Sequence, residues 1–296
     1  MAGFIMAMGG GGGGILAGIG HISILGIGDP NMIKAVNLIL EFVSRIFSVP
    51  IYQKQKRLVW PLAISFAMGA PFGAIAGSWF SKTYLSDMTN YKLVFGILIS
   101  LVATWMLYEA WSKNTSARAK KAEAASERVR KAQTNKFSNQ DPETLKGHAP
   151  QTVSVAWNKI RILFSGDEFD FNPLHVAAGA FCVSFIGASV GVGGGFLVTP
   201  FIATILLFPM YLATGTALVA MMIPLSASVI TYIALHVQMD WWLVGIESAG
   251  IMIGSFLGPV LNRYMNERLL KLYVSIILFG IGIYYLFDYF VIFNDF

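Results

Sequence analysis

The sequence predicts an all-α, polytopic transmembrane bundle of two related, inverted halves whose helices are broken by glycine or re-enter the membrane. Three observations carry this reading. First, 55% of the 296 residues are hydrophobic, 12% are charged and the mean hydropathy is +0.63. A soluble domain carries roughly 25% charged residues, so this chain has too little charge to cover a water-facing globule. Second, apolar stretches long enough to cross a bilayer as helices fall at 60–80, 93–111, 210–235, 241–261 and 272–292, with one more centred on 176–192. Third, Trp60, Gly69, Gly73 and Gly77 recur as Trp241, Gly250, Gly254 and Gly258, all four at an offset of 181. One GxxxG run is a weak signal of close helix packing; two matched runs, each led by a Trp at the same distance, indicate duplication.

The chain divides at its charge. Residues 1–112 form the first repeat, 113–172 a basic linker and 173–296 the second repeat. The linker holds 11 of the 21 Lys and Arg and 7 of the 16 Asp and Glu. Its Ala-rich, highly charged part, 116–132, reads as a solvated or membrane-surface helix, while Gly147, Pro150 and the run 166–173 (GDEFDFNP) read as loop. Almost no aromatics interleave with its basic residues, so no nucleic-acid partner is expected. A cytoplasmic linker obeying the positive-inside rule is the simpler reading, and attraction to anionic headgroups is compatible with it. Residues 1–8 are apolar and lack the charged n-region of a cleavable signal. The single Cys182 excludes an internal disulfide and a Cys-based metal site.

Loop charges orient the halves. With the linker in the cytoplasm, loop 50–59 (Lys54, Lys56, Arg57) also lies inside. If residues 174–208 go in and come back, loop 262–271 (Arg263, Arg268, Lys271) joins it. The stretch around His236 and Asp240, without Lys or Arg, then lies outside. This arrangement satisfies the positive-inside rule better than a single crossing would. It makes 174–208 a hairpin, either two short helices or a re-entrant loop, and it inverts the halves, a frequent plan of secondary transporters.

The sharpest local feature is the run Gly187-Ala188-Ser189-Val190-Gly191-Val192-Gly193-Gly194-Gly195. Each glycine costs about 1 kcal/mol in a helix relative to Ala, so this run breaks it. The freed backbone groups must then be satisfied within protein or face a water-filled cavity. A half-helix starting near Phe196 would present unpaired N–H groups to an anion. Residues 10–14 repeat the chemistry in the first half, followed by His21 and Ser23. The run lacks the Lys-Ser/Thr of a phosphate-binding loop and any strand before it, which argues against nucleotide binding. Tight helix crossing alone is the competing explanation of these glycines.

The GxGGGxxxxP run from Gly191 to Pro200, the Ala213-Thr214-Gly215-Thr216-Ala217-Leu218 run after a Pro-containing turn and the Gly-spaced stretch 241–261 resemble the sulfite exporter TauE/SafE family. The resemblance covers nearly all of the chain outside 113–172 and is best in the second half. The first half departs, with six glycines at 9–14 and Lys34-Ala35-Val36-Asn37-Leu38 where the family has its Ala-x-Gly-Thr run. The resemblance implies transport of a small sulfur-containing anion, such as sulfite or a sulfonate, driven by an ion gradient.

Segment 31–49 is the least hydrophobic span. Lys34, Asn37, Glu41, Ser44 and Ser48 share one helical face, and Arg45 lies one turn beyond Glu41. A charge at mid-membrane costs roughly 2.5–3.5 kcal/mol on insertion scales, so this face should point to the protein interior or an aqueous path. Either Arg45 or Lys34 attracts the anion while Glu41 positions the Arg or carries a proton, or Glu41–Arg45 is a structural pair. The candidate substrate-binding residues are Gly12, Gly13, Gly14, His21, Asn37, Arg45, Gly193, Gly194, Gly195, Thr214 and Thr216. Lys34, Glu41 and Glu247 are candidates for coupling or gating. No catalytic residue, metal or cofactor is expected. The expected partners are a small anion and the lipid bilayer of the cell membrane, and a homodimer is one assembly the reading allows. A passive anion channel is the main alternative. An intramembrane enzyme is a weaker one, with Ser189 in its Gly-rich stretch the superficial nucleophile.

Overall fold

The computed structural model describes residues 2–8, 13–111, 116–135, 149–262, 275–276 and 278–287. The first half holds α1 (Ala2–Ala7), α2 (Gly13–Ile19) closed by a π turn (Gly20–Ile24), α3 (Pro30–Lys54), α4 (Trp60–Tyr84) and α5 (Met88–Trp111). The second half holds α7 (Pro173–Val190), α8 (Gly195–Pro200) closed by a π turn (Phe201–Ile205), α9 (Met210–Ala220), α10 (Met222–Ala234), α11 (Trp241–Asn262) and α12 (Leu278–Phe287). Among the described residues five helical stretches are long and apolar enough to cross a membrane: α4, Met88–Trp105 within α5, α7, Met210–Ala234 and α11. Large apolar side chains such as Phe72, Leu101, Ile230 and Ile253 are exposed on their outer faces, as a lipid-facing surface requires.

The duplication extends to single hydrogen bonds. Leu25 and Ile27 N–H donate to Gly20 and His21 O in the first half, and Leu206 and Phe208 N–H donate to Phe201 and Ile202 O in the second. Both bonds repeat at an offset of 181. So does the left-handed residue inside each loop, Gly26 and Leu207. At the far end of the long helices, Arg57 N–H donates to Tyr52 O and Val237 N–H to Tyr232 O.

Contacts fix the helix directions. Gly187 lies against Gly194, and Gly179 against the Phe201 ring, so α7 and α8 form an antiparallel hairpin. Its turn uses three glycines with positive φ, at 191, 193 and 194, a conformation that side chains with Cβ resist. In the first half Gly13 meets Met6 and Ala2 in the equivalent way. On α4, Gly69, Gly73 and Gly77 face the backbone carbonyls of Ala177, Phe181 and Phe185, so α4 and α7 run parallel. On α11, Gly254 and Gly258 face Phe4, and Gly3 faces Ile251, so α11 and α1 run parallel. Lys34 near the start of α3 reaches Ser81 and Leu85 at the end of α4, so those helices are antiparallel. Within one half, then, the glycine-ridged helix opposes the first hairpin helix; across halves it runs with the other half's. The halves are therefore inverted, and loops 55–59, 206–209 and the linker lie at one end of the bundle, here the linker end.

The linker is more ordered than its composition suggests. The charged helix is present as α6 (Ala117–Asn135). The run 166–173, read from sequence as loop, is instead a turn and a strand. Strands β1 (Gln151–Val155), β2 (Ile160–Phe164) and β3 (Asp167–Phe171) form an antiparallel sheet in that order. Ser165 and Gly166, both with positive φ, make the tight β2–β3 turn. Ile160, Ile162, Phe164, Phe169 and Phe171 alternate onto one buried face. That face covers Phe208 and Tyr211, and Ala122, Ala125 and Val129 of α6 belong to the same core. Arg128 and Lys121 pair with Asp167 at 3.0 and 3.6 Å, which fastens α6 to β3.

Candidate functional site

The start of α2 and the glycine turn of the second half meet over α3. A Cβ on Gly14 would collide with Glu41 Oε1 and lie 3.2 Å from Val192 O of the second turn. A Cβ on Gly193 would collide with Glu41 Oε2 and lie 2.9 Å from Leu225 Cδ2 of α10. The Glu41 carboxylate is thus held between the hairpins of the two halves, one oxygen against each. Arg45, one turn on, places Nη2 2.8 Å from Glu41 Oε2 and donates from Nη1 to Glu41 O at 2.8 Å. Both side chains are buried, with Arg45 at 1% and Glu41 at 3% exposure.

Polar groups without partners surround this pair. Arg45 Nε is buried with no hydrogen-bond partner, as are both side-chain atoms of Asn37 one turn before Glu41. Asn37 Nδ2 lies against Gly18 of α2. Ser184 Oγ of α7 is also unpartnered and borders a narrow crevice that runs past Gly193 between Leu38, Met221 and Ser228. Buried donors without partners are costly, so several of them at one point mark a place suited to a polar guest.

Tyrosines add hydrogen bonds to carbonyls at the breaks, beside the Gly191 N–H that donates to Ala188 O. Tyr52 Oη donates to Ala7 O at 2.9 Å, and Tyr232 Oη donates to Ala188 O at 3.4 Å. Tyr91 Oη adds a bond to Val190 O at 3.1 Å. Tyr52 and Tyr232 hold matching positions of the two halves, and both are fully buried.

The structure brings together Gly14, Glu41, Arg45 and Gly193, with Asn37 one turn away. Gly13 and Gly195 start α2 and α8, and Gly194 packs on Gly187. Gly12 lies outside the described residues. Lys34 is placed differently: its stem fills the space before Gly191, while its Nζ donates to Ser81 Oγ and Leu85 O, both at 2.7 Å, 5.1 Å from the Tyr91 ring centre. His21 and Glu247 form their own cross-half pair, Nε2 to Oε2 at 2.8 Å, between the α2 π turn and α11. Thr214 and Thr216 serve the linker end: Thr214 Oγ1 donates to Tyr211 O at 3.3 Å, and Thr216 Oγ1 accepts from Val59 N–H at 3.0 Å. Ser189 donates to Gly77 and Phe185 carbonyls, so its hydroxyl is taken up in helix packing.

Sequence reasoning missed a bridge across that end. The Arg57 guanidinium lies over the rings of Tyr52 and Tyr211, at 4.9 and 4.3 Å, and Nε donates to Tyr211 O at 3.0 Å. Tyr211 Oη donates in turn to Gln55 O at 2.8 Å. Phe164 of the sheet stacks on Tyr211, so the linker covers a contact between the α3–α4 loop and α9.

The sequence that builds these inverted hairpins matches one known family over residues 1–285. The model of the family described as Sulfite exporter TauE/SafE matches residues 1–285. The chain belongs to that TauE/SafE family. Among its relatives is the Probable membrane transporter protein YunE of Bacillus subtilis (strain 168), 22% identical over 257 residues that cover 86% of this chain and 80% of the relative. A Probable membrane transporter protein of Xylella fastidiosa (strain Temecula1) is 24% identical over 288 residues, covering 96% and 90%. No solved structure matches the chain significantly. As a TauE/SafE member with several apolar helices, the chain is a multi-pass membrane protein of a transporter family.

Proposed function

We propose that the protein is a secondary transporter that carries a small sulfur-containing anion, sulfite or an organosulfonate, across the cell membrane by alternating access coupled to an ion gradient. The observation that carries this reading is the buried Glu41–Arg45 pair held between Gly14 and Gly193, where the hairpins of both halves converge. Arg45 supplies a fixed positive charge, and its free Nε and the Asn37 amide supply donors. The sulfur anion is drawn from the family, described as sulfite exporters. The Arg57–Tyr211 bridge across the linker end supports alternating access over an open pore, because a carrier needs one end shut while the other is open. The basic loop 55–59 shares its end with the linker, so the positive-inside rule assigns that end to the cytoplasm.

The test is ligand-dependent stabilisation of the purified full chain. A ligand that binds only the folded state raises the apparent melting temperature. Sulfite or methanesulfonate should do so in the wild type, and Arg45→Gln should abolish the shift. Absence of a shift with sulfite, thiosulfate and short sulfonates would sink the reading; an unchanged shift in Arg45→Gln would remove Arg45 from the site.

A further inference from the structure

Arg45 already has an anion, and it is Glu41. The carboxylate sits where the two hairpins meet, so a transported anion that reaches Arg45 meets a negative charge already in place. Among the described residues, the other surroundings of Glu41 offer no second cation: α2 presents Gly14, the second turn presents Gly193, α10 presents Leu225, and Lys34 on the same helix is turned to Ser81 and Leu85. One arginine cannot balance a carboxylate and a guest anion together at membrane depth, where an uncompensated charge is strongly disfavoured.

We propose, building on the anion-carrier reading, that Glu41 is the resident counter-anion of Arg45 and yields it to the guest only by taking up a proton, so that one proton moves with each monovalent anion. The charges balance at each stage. Unloaded, the site holds the Glu41 carboxylate and the Arg45 guanidinium, net zero. On loading, a proton joins one Glu41 oxygen, the ion pair to Arg45 is released, and the guest anion takes its place, again net zero. Both forms cross between open states without net charge, so transport is electroneutral. The same balance sets the substrate class. A monoanion such as hydrogen sulfite or an alkylsulfonate fits, whereas a dianion such as sulfate leaves one negative charge uncompensated.

The experiment uses the full chain in liposomes with a pH-sensitive dye inside and methanesulfonate as the probe. Inward methanesulfonate flux should acidify the lumen by one proton per anion and should not respond to a potential set by potassium and valinomycin. Sulfate should move about a hundredfold more slowly, the factor expected for one uncompensated charge at membrane depth. Methanesulfonate should bind the wild type about tenfold more tightly per pH unit of acidification while Glu41 is ionised, the linkage of one proton. In Glu41→Gln binding should persist without that pH dependence. Flux of methanesulfonate without protons, flux driven by membrane potential, or sulfate carried as fast as methanesulfonate would overturn the proposal and leave the anion carrier standing. Those wild-type measurements decide the matter even if Glu41→Gln fails to fold. The absence of any anion binding or flux would remove the carrier reading itself.

Discussion

The two halves share their backbone devices and differ in what lies beneath the glycine turns. Hairpins, π turns, loop hydrogen bonds and capping tyrosines repeat at an offset of 180 or 181. Yet Asn37, Glu41 and Arg45 of α3 correspond to Ala217, Met221 and Leu225 of α9 and α10. α3 is continuous through that level, whereas its counterpart is interrupted at Met221, three residues before Pro224, which cannot donate to the helix ladder. One half therefore supplies charge and the other supplies apolar wall and crevice. Duplication preserved the parts that let backbone break inside a membrane and let the lining diverge, as expected if the first is a requirement of folding and the second of binding.

The comparison extends to the glycine ridges, where it can be tested most severely. On α4 the ridge is tight: a Cβ on Gly73 would meet the carbonyl of Phe181, with its carbon 2.9 Å away, and backbone cannot step aside. Among the described residues, the matching ridge on α11 closes only at Gly254 and Gly258, while Gly250 meets nothing within 4 Å. Gly73→Ala should therefore destabilise by about 1–3 kcal/mol, the range for overpacking. Gly250→Ala should be neutral or stabilise by up to about 1 kcal/mol through helix propensity. Thermal unfolding in detergent reads both. Equal losses at the two sites would mean that the α11–α1 seam is as tight as the α4–α7 seam.

What was legible in the sequence follows from these physics. Glycine spacing and hydropathy expose helices, the repeat and the hairpin, because each glycine that breaks or ridges a membrane helix is costly and therefore conspicuous. The placement of Glu41 and Arg45 on an inward face was legible from their spacing. The bridging role of Arg57 was not, since Tyr52 and Tyr211 lie far from one another in the chain and an Arg beside Lys54 and Lys56 looks like ordinary loop charge. Thr214 and Thr216 stood out as hydroxyls after a turn, but hydroxyls serve carbonyl and N–H groups as readily as anions. The strands of the linker did carry a signal: Ile160, Ile162 and Phe164, then Phe169 and Phe171, alternate across a Ser-Gly turn. Surrounding charge masked it.

The ends of the bundle differ as well. At the linker end Arg57 is buried at 4% exposure between two tyrosines; its counterpart at the far end is Val237. Arg57→Ala should weaken closure of the linker end by up to about 2 kcal/mol, the value of a desolvated cation–π contact. A cysteine placed at the buried Val59 should then react faster with a water-soluble maleimide than it does with Arg57 intact. Val237→Ala should leave that rate unchanged. An unaltered rate in Arg57→Ala would mean that the sheet, through Phe164 on Tyr211, closes this end by itself.

The smallest effect separates the capping tyrosines. Tyr52→Phe and Tyr232→Phe each remove one hydroxyl and little volume, and with it the bond to a carbonyl at a break. A net hydrogen bond of this kind contributes about 0.5–1.5 kcal/mol. The Tyr52 bond to Ala7 O is 2.9 Å and the Tyr232 bond to Ala188 O is 3.4 Å, near the limit at which such a contact still counts. The Val190 carbonyl beside Ala188 also has Tyr91 as a donor, so the second turn has a further hydroxyl close by. Tyr52→Phe should therefore lower unfolding stability by about 1 kcal/mol and Tyr232→Phe by less, with Tyr91→Phe needed alongside it to match the loss. Equal single losses would show that the two turns are capped alike and that their difference in length carries no energy.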